Sequence, residues 1–182
     1  MTALDFFQRW RVRLGYLLAV VTLWLARPTP QSIAVGALVG IIGLAIRGYA
    51  AGYLHKQTVL TVTGPYARTR NPLYFGSGIL ALGAALAMNS WWAGGLLFVY
   101  FALVYSLVMR GEEMELRRQH GAAFDDYADS VPLFFPRLMA TSGVLPSARF
   151  SWQQYRKNHE YQAAIVFVFL LVGLLAIWRL RS

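Results

Sequence analysis

The sequence predicts an all-α integral membrane protein with about five transmembrane helices, a cytosolic cap of helices and loops, and no Rossmann domain. Three observations carry this expectation. Apolar residues make up 57% of the 182 residues and charged ones only 14%. That composition lies outside the range of soluble globular chains, and so short a chain cannot enclose so much apolar surface in one core. Charges are excluded from long runs, with none between Asn71 and Met109. Finally, Lys and Arg are distributed unevenly between the two ends of the apolar runs. The length suits a single membrane domain over 1–182.

Taken in order, Leu4 to Arg13 places Phe6, Phe7 and Trp10 among arginines, the pattern of an interfacial helix leading into a span. The uncharged run that follows, 14–26, is short for a crossing and needs the preceding helix to continue into it. Arg27-Pro28-Thr29-Pro30 stops it. A second apolar helix is expected over 32–54. Its Gly36, Gly40 and Gly43 offer a small-residue face for close helix packing. Arg47 in its last third requires a polar cavity or lipid headgroups. Asn89-Ser90, followed by Trp91-Trp92, divides the long uncharged stretch into a transmembrane hairpin with arms 73–88 and 91–109. The last span is expected over 161–178, closed by Arg179 and Arg181. Residues 151–160 read as an interfacial anchor for it.

With these spans, Arg9, Arg11, Arg13, Lys56, Arg68, Arg70 and the basic residues of 110–157 fall on one side. Only Arg27, Arg179 and Arg181 fall on the other, so the first side, with the N-terminus, is assigned to the cytosol. The host membrane would be the inner membrane of a bacterium or the endoplasmic reticulum of a eukaryote. The net charge of +9 is then explained by anionic membrane lipids rather than nucleic acid. Arg9, Arg11 and Arg13 precede a span without a small-residue exit, so no cleavable signal is expected. There is no cysteine, and His55, His120 and His159 have no ligand spacing, so no metal site is expected.

The acidic residues are informative because they are few. Of eight, only Asp5 and Glu160 lie outside the stretch containing Glu112, Glu113, Glu115, Asp125, Asp126 and Asp129. At about 100° per residue, Met109, Glu113, Leu116, His120, Phe124 and Tyr127 share one helical stripe. Its apolar members mark it as buried, so Glu113 points inward, Glu112 sits at the edge and Glu115 points away. The loop before the hairpin reads Gly64-Pro65-Tyr66-Ala67-Arg68-Thr69-Arg70-Asn71-Pro72-Leu73-Tyr74. Gly64-Pro65 dictates a turn, Pro72 suits the first helical position, and Asn71 falls where a helix cap belongs. A helix N-terminus beside Arg68 and Arg70 can receive a carboxylate or phosphate. A cationic piece thus faces an inward carboxylate, a pairing suited to a zwitterionic ligand.

These two segments, with the uncharged hairpin between them and the V-P-L-F-F-P tail after them, resemble the isoprenylcysteine carboxyl methyltransferase and phospholipid methyltransferase superfamily. The likeness covers about Thr61 to Pro136. It implies S-adenosylmethionine enclosed by segments 61–72 and 110–136 of a helical membrane fold, and a lipophilic, prenyl- or phospholipid-like acceptor arriving from the bilayer. Tyr66, Arg70, Asn71, Pro72 and Tyr74 match the first motif. Glu112, Glu113 and Leu116 match the second, while Tyr127, Pro132 and Pro136 match the tail. The resemblance implies a cofactor site of Tyr66, Arg70, Asn71, Pro72, Tyr74, Glu112, Glu113, Leu116 and Tyr127, to which the buried stripe adds His120, with Arg70, Asn71 and Glu113 as the catalytic residues.

One departure bears on the acceptor. Many members carry histidine where this chain has Asn71, and an amide cannot take up a proton near neutral pH. A carboxylate acceptor needs no base, whereas an amine or hydroxyl would. His120 is the sole histidine near the motifs. Two alternatives stand beside methyl transfer: a sterol- or steroid-type membrane reductase using NADPH, and a non-catalytic membrane protein of the same fold.

Overall fold

The computed structural model describes residues 3–55, 59–138 and 149–182, with backbone alone for 3–12. The described residues are helical and contain no strand. The helices are α1 (Ala3–Leu25), α2 (Pro30–Tyr53), α3 (Pro72–Met88), α4 (Trp91–His120), α5 (Ala122–Ser130), α6 (Trp152–Lys157) and α7 (Tyr161–Arg181), with a 3-10 turn at Gly64–Ala67 before α3. Three of them, α2, α4 and α7, are long and apolar enough to cross a bilayer. Two shorter apolar stretches, Arg13–Leu25 and Pro72–Met88, accompany them. Large apolar side chains stand exposed on these helices, among them Trp24, Leu38, Phe98 and Phe169. That is the surface a bilayer covers. The expected interfacial side chains Phe6, Phe7 and Trp10, and the charges of Arg9, Arg11 and Lys56, lie outside the described residues.

The helix that includes 14–26 begins well before it, so α1 gains the length the uncharged run lacks. Thr29 caps α2 through a reciprocal capping box with Ser32, and Pro30 stands at the first helical position. The helix therefore starts two residues earlier than its apolar run indicates. Asn89, in the left-handed conformation (φ 49°), ends α3, and Ser90 caps α4, which makes the hairpin turn. Trp91 and Trp92 are almost fully exposed beside it.

Helices α2 and α3 pack with their backbones in close approach. A Cβ built on Gly83 would lie 2.6 Å from the nitrogen of Gly40 and 2.7 Å from the carbonyl of Gly36. The small residues of α2 thus do what their spacing predicts. One end of the bundle is laced by polar bonds. The Arg27 amide donates to the Met88 carbonyl (2.8 Å), Asn89 Nδ2 to the Arg27 carbonyl (3.1 Å), and Arg181 Nη1 to the Ala26 carbonyl (2.5 Å). Asn71, the ends of α2 and α4, and the short helix α6 all fall toward the opposite end.

Helix α4 does not stop at Met109 but continues through the charged segment to His120. Gly121, at φ 53°, breaks it and starts α5. The buried stripe is therefore carried by two helices rather than one. Leu116 of α4 still packs against the cluster of Phe124, Tyr127 and Val131.

Candidate functional site

The site lies where the loop before α3 meets the extended end of α4. Pro72 is the first residue of α3, fully buried, with Asn71 at the N-cap position. The Asn71 side chain does not cap the helix. Its Nδ2 instead donates to the Leu133 carbonyl at 3.0 Å, which corrects its reading as a helix cap. The reason is tertiary: the 132–137 tail runs beside the loop and supplies carbonyls. The Arg70 amide donates to Pro132 (2.9 Å), and the Arg137 amide to Arg68 (2.9 Å). Buried Thr69 donates from Oγ1 to the Phe134 carbonyl (2.9 Å). This clamp orients both Arg70 and Asn71.

Arg70 and Glu113 form an ion pair, Nε to Oε1 at 2.7 Å, with both atoms shielded from solvent. Arg70 Nη1 also donates to the Ala128 carbonyl of α5 (2.5 Å). One helical position away, Glu112 Oε1 accepts from Tyr74 Oη at 2.5 Å. The inward and edge positions given by the stripe thus become two distinct contacts to the loop and to α3. Glu115 lies on the outer side, paired with Arg118 (2.8 Å).

Tyr127 donates from Oη to the Tyr66 carbonyl at 2.7 Å. Tyr66 is itself buried, and its hydroxyl has no hydrogen-bond partner among the described residues. Burial pushes its ionisation well above the ordinary tyrosine value, assisted by Tyr127, Glu112, Glu160 and Tyr74. Burial also raises Tyr127, while Arg70 opposes the rise and Glu113 adds to it. An orphaned buried hydroxyl is rare in folded proteins. His120 is the last residue of α4, half-buried. The described contacts do not join it to the Arg70–Glu113 pair.

A cavity of about 530 Å³ lies beyond Tyr74, walled by α1, α3, α4 and α7 with Arg47 of α2, and mostly apolar. Arg47 and Ser77 provide polar groups in its wall, and Tyr105 is shared with the site, since its ring meets that of Tyr74 edge-on at 5.3 Å. Sequence reasoning missed Ser77, Tyr105 and the cavity, and it left the partner of Glu160 unassigned. The carboxylate of Glu160 takes two hydrogen bonds from Arg47, Nε to Oε2 (3.0 Å) and Nη2 to Oε1 (2.9 Å). Arg47 Nη1 also reaches Ser77 Oγ and the Leu73 carbonyl. The polar environment demanded by an arginine within an apolar helix is therefore an internal ion pair. A lone intramembrane arginine and a lone glutamate heading the last span were the available signal.

Apolar helices with a polar cluster of paired charges at one end define a helical membrane protein. The family model described as phospholipid methyltransferase matches residues 10–123. The chain belongs to the phospholipid methyltransferase family. It is 38% identical over 106 residues to the nickel-cobalt-cadmium resistance protein NccN of Alcaligenes xylosoxydans xylosoxydans, a match covering 55% of this chain and 49% of that protein. It is 33% identical over 146 residues to the cobalt-zinc-cadmium resistance protein CzcN of Cupriavidus metallidurans, covering 74% of this chain and 65% of that protein. The chain thus spans less than two thirds of either relative. No solved structure matches it. Among the described residues no three His, Asp or Glu side chains gather as metal ligands.

Proposed function

We propose that the chain transfers a methyl group from S-adenosylmethionine to a lipophilic acceptor at the cytosolic side of the membrane. The observation that carries this reading is the shielded Arg70–Glu113 pair, on the same motif segments as the unpartnered Tyr66 hydroxyl. Arg70 offers a cation and Glu113 an anion to the amino-acid end of the cofactor, which carries both signs. Glu113 Oε1 lies 2.7 Å from Arg70 Nε, and no hydrogen bond to its other oxygen is found among the described residues. Tyr66 supplies a hydroxyl in a dry environment, and Asn71 retains its Oδ1 and one amide hydrogen for a ligand. The residues present fit the group.

When bound, the cofactor supplies an electrophilic methyl on a sulfonium. The protein's part is alignment and exclusion of water. The clamp of the tail on the loop holds Arg70, Asn71 and Tyr66 in place. The Tyr74–Tyr105 contact separates the polar cluster from the apolar cavity, so that a lipid chain in the cavity presents its head to the cofactor side. With α1 and α3 taken as further crossings, the uneven distribution of Lys and Arg supports reading the side that holds this cluster as the cytosolic one.

Titration calorimetry of the protein in detergent with S-adenosylhomocysteine tests the reading. Binding is expected, with affinity lower by about tenfold to a hundredfold in Arg70→Ala and Glu113→Ala, the range for a lost charge-assisted hydrogen bond. Absence of heat from the wild-type protein would overturn it. The names of the relatives favour one second reading, in which the chain serves metal tolerance without catalysis. If cells lacking the chain lose tolerance and both variants restore it fully, that reading replaces the first.

A further inference from the structure

Among the described residues the bundle holds two ion pairs that differ in their hydrogen bonding. In the Arg70–Glu113 pair Nε approaches Oε1 at 2.7 Å. The Arg47–Glu160 pair is closed. Both carboxylate oxygens accept from Arg47, and Nη1 is taken by Ser77 Oγ and the Leu73 carbonyl. These contacts commit four of the five guanidinium N–H groups. Ser77 Oγ in turn donates to the Leu73 carbonyl at 2.9 Å.

Arg47 and Ser77 line the apolar cavity, and Arg47 Nη1 also donates to the carbonyl of Leu73, which lies between Pro72 and Tyr74. The cluster therefore borders both the cavity and the proposed methyl-donor site. Its net charge is zero, and its unused capacity is a set of oxygen lone pairs with one N–H. An anionic head placed there would meet the Glu160 carboxylate with no free cation to balance it. A cationic head would meet Arg47 already neutralised. In a low-dielectric setting either costs far more than in water.

We infer that the cavity accepts a single-chain lipophile whose head is uncharged and donates a hydrogen bond, a hydroxyl being the simplest. This rests on the methyl-transfer reading and names the acceptor class for that site. The volume of about 530 Å³ supports one chain, since it falls within the range of pockets that enclose one ligand of modest size. A hydroxyl can donate to the Glu160 carboxylate and accept the remaining guanidinium hydrogen, which satisfies the cluster without adding charge. When its oxygen gains the methyl group released by the donor sulfur, Glu160 would take the hydroxyl proton.

The test uses the full chain in nanodiscs of uncharged lipid and three radiolabelled probes of equal chain length: hexadecanol, hexadecanesulfonate and hexadecyltrimethylammonium. Wild-type protein is expected to bind hexadecanol at least about tenfold more tightly than either ion. Glu160→Gln, which frees the Arg47 charge, is expected to turn the preference toward the sulfonate. The double variant Arg47→Gln/Glu160→Gln keeps the cluster neutral and should retain the preference for the alcohol. Equal or tighter binding of either ion by the wild-type protein overturns the inference, and so does an unchanged order in a folded Glu160→Gln protein. If Glu160→Gln fails to fold, the wild-type order and the double variant decide. Binding of S-adenosylhomocysteine, measured alongside, separates the outcomes: its retention with no alcohol preference sinks only the head-group inference. Its absence with the preference intact sinks only the methyl-transfer reading.

Discussion

Tyr66 and Tyr127 show what burial does to single groups in this site. Both hydroxyls have ionisation raised above the usual tyrosine value, chiefly by desolvation. A group whose folded value is raised stabilises the fold fully below its unfolded value, about 10 for tyrosine, and loses that contribution as pH rises toward the folded value. Thermal unfolding in detergent should therefore be nearly flat from neutrality to about pH 10 and fall above it. The double variant Tyr66→Phe/Tyr127→Phe should lose much of that alkaline fall. At neutral pH, Tyr127→Phe should cost about 1–3 kcal/mol, because it strands the Tyr66 carbonyl. At this scale the sequence was only partly legible. The direction of Glu113 followed from helical periodicity, since a stripe with Leu116 is a local property. The partners of Asn71 and Glu160 did not, because Leu133 and Arg47 are remote in the chain and no local rule names them.

Among the elements, the α2–α3 contact is the tightest, because backbone rather than side chain limits it. Gly83→Ala would place a methyl against the nitrogen of Gly40 and the carbonyl of Gly36, neither of which can yield without separating the helices. A loss of about 1–3 kcal/mol is expected, the usual cost of overpacking, read as a lowered melting temperature in detergent. Gly95, where an added Cβ meets nothing within 4 Å, serves as the control, since Gly95→Ala should leave it unchanged or raise it. Apolar runs and turn residues marked the helices well, and Asn89 and Pro72 fell where their chemistry places them. The lower end of α4 was harder to read. Residues 110–120 are charged but composed of good helix formers, so hydropathy ends the span where the helix goes on, and only Gly121 stops it.

For the molecule as a whole, the unequal distribution of basic residues predicts how it sits in its membrane. The chain contains no cysteine, so single introduced thiols report on sidedness without background. Gln119→Cys, at the site end, should react with a membrane-impermeant maleimide only from the cytosolic side. Ser182→Cys, at the end where Arg181 bonds the Ala26 carbonyl, should react only from the opposite side. Labelling of both from one face would overturn the five-crossing arrangement. The fold class was legible at this scale because bilayer burial imposes long uncharged runs. The cavity was not, since a void among apolar helices leaves no mark in their composition.

Tyr105 lines the apolar cavity, while Tyr74, against which its ring rests, holds the Glu112 carboxylate. A partition with a different ligand on each side couples their occupancies, and thermodynamic reciprocity makes the coupling equal in both directions. Saturating the protein with hexadecanol should change its affinity for S-adenosylhomocysteine by about fivefold or more, and saturating it with S-adenosylhomocysteine should change its affinity for the alcohol by the same factor. Tyr105→Ala should uncouple the two. On the methyl-transfer reading proposed above, each ligand would then bind as though the other were absent.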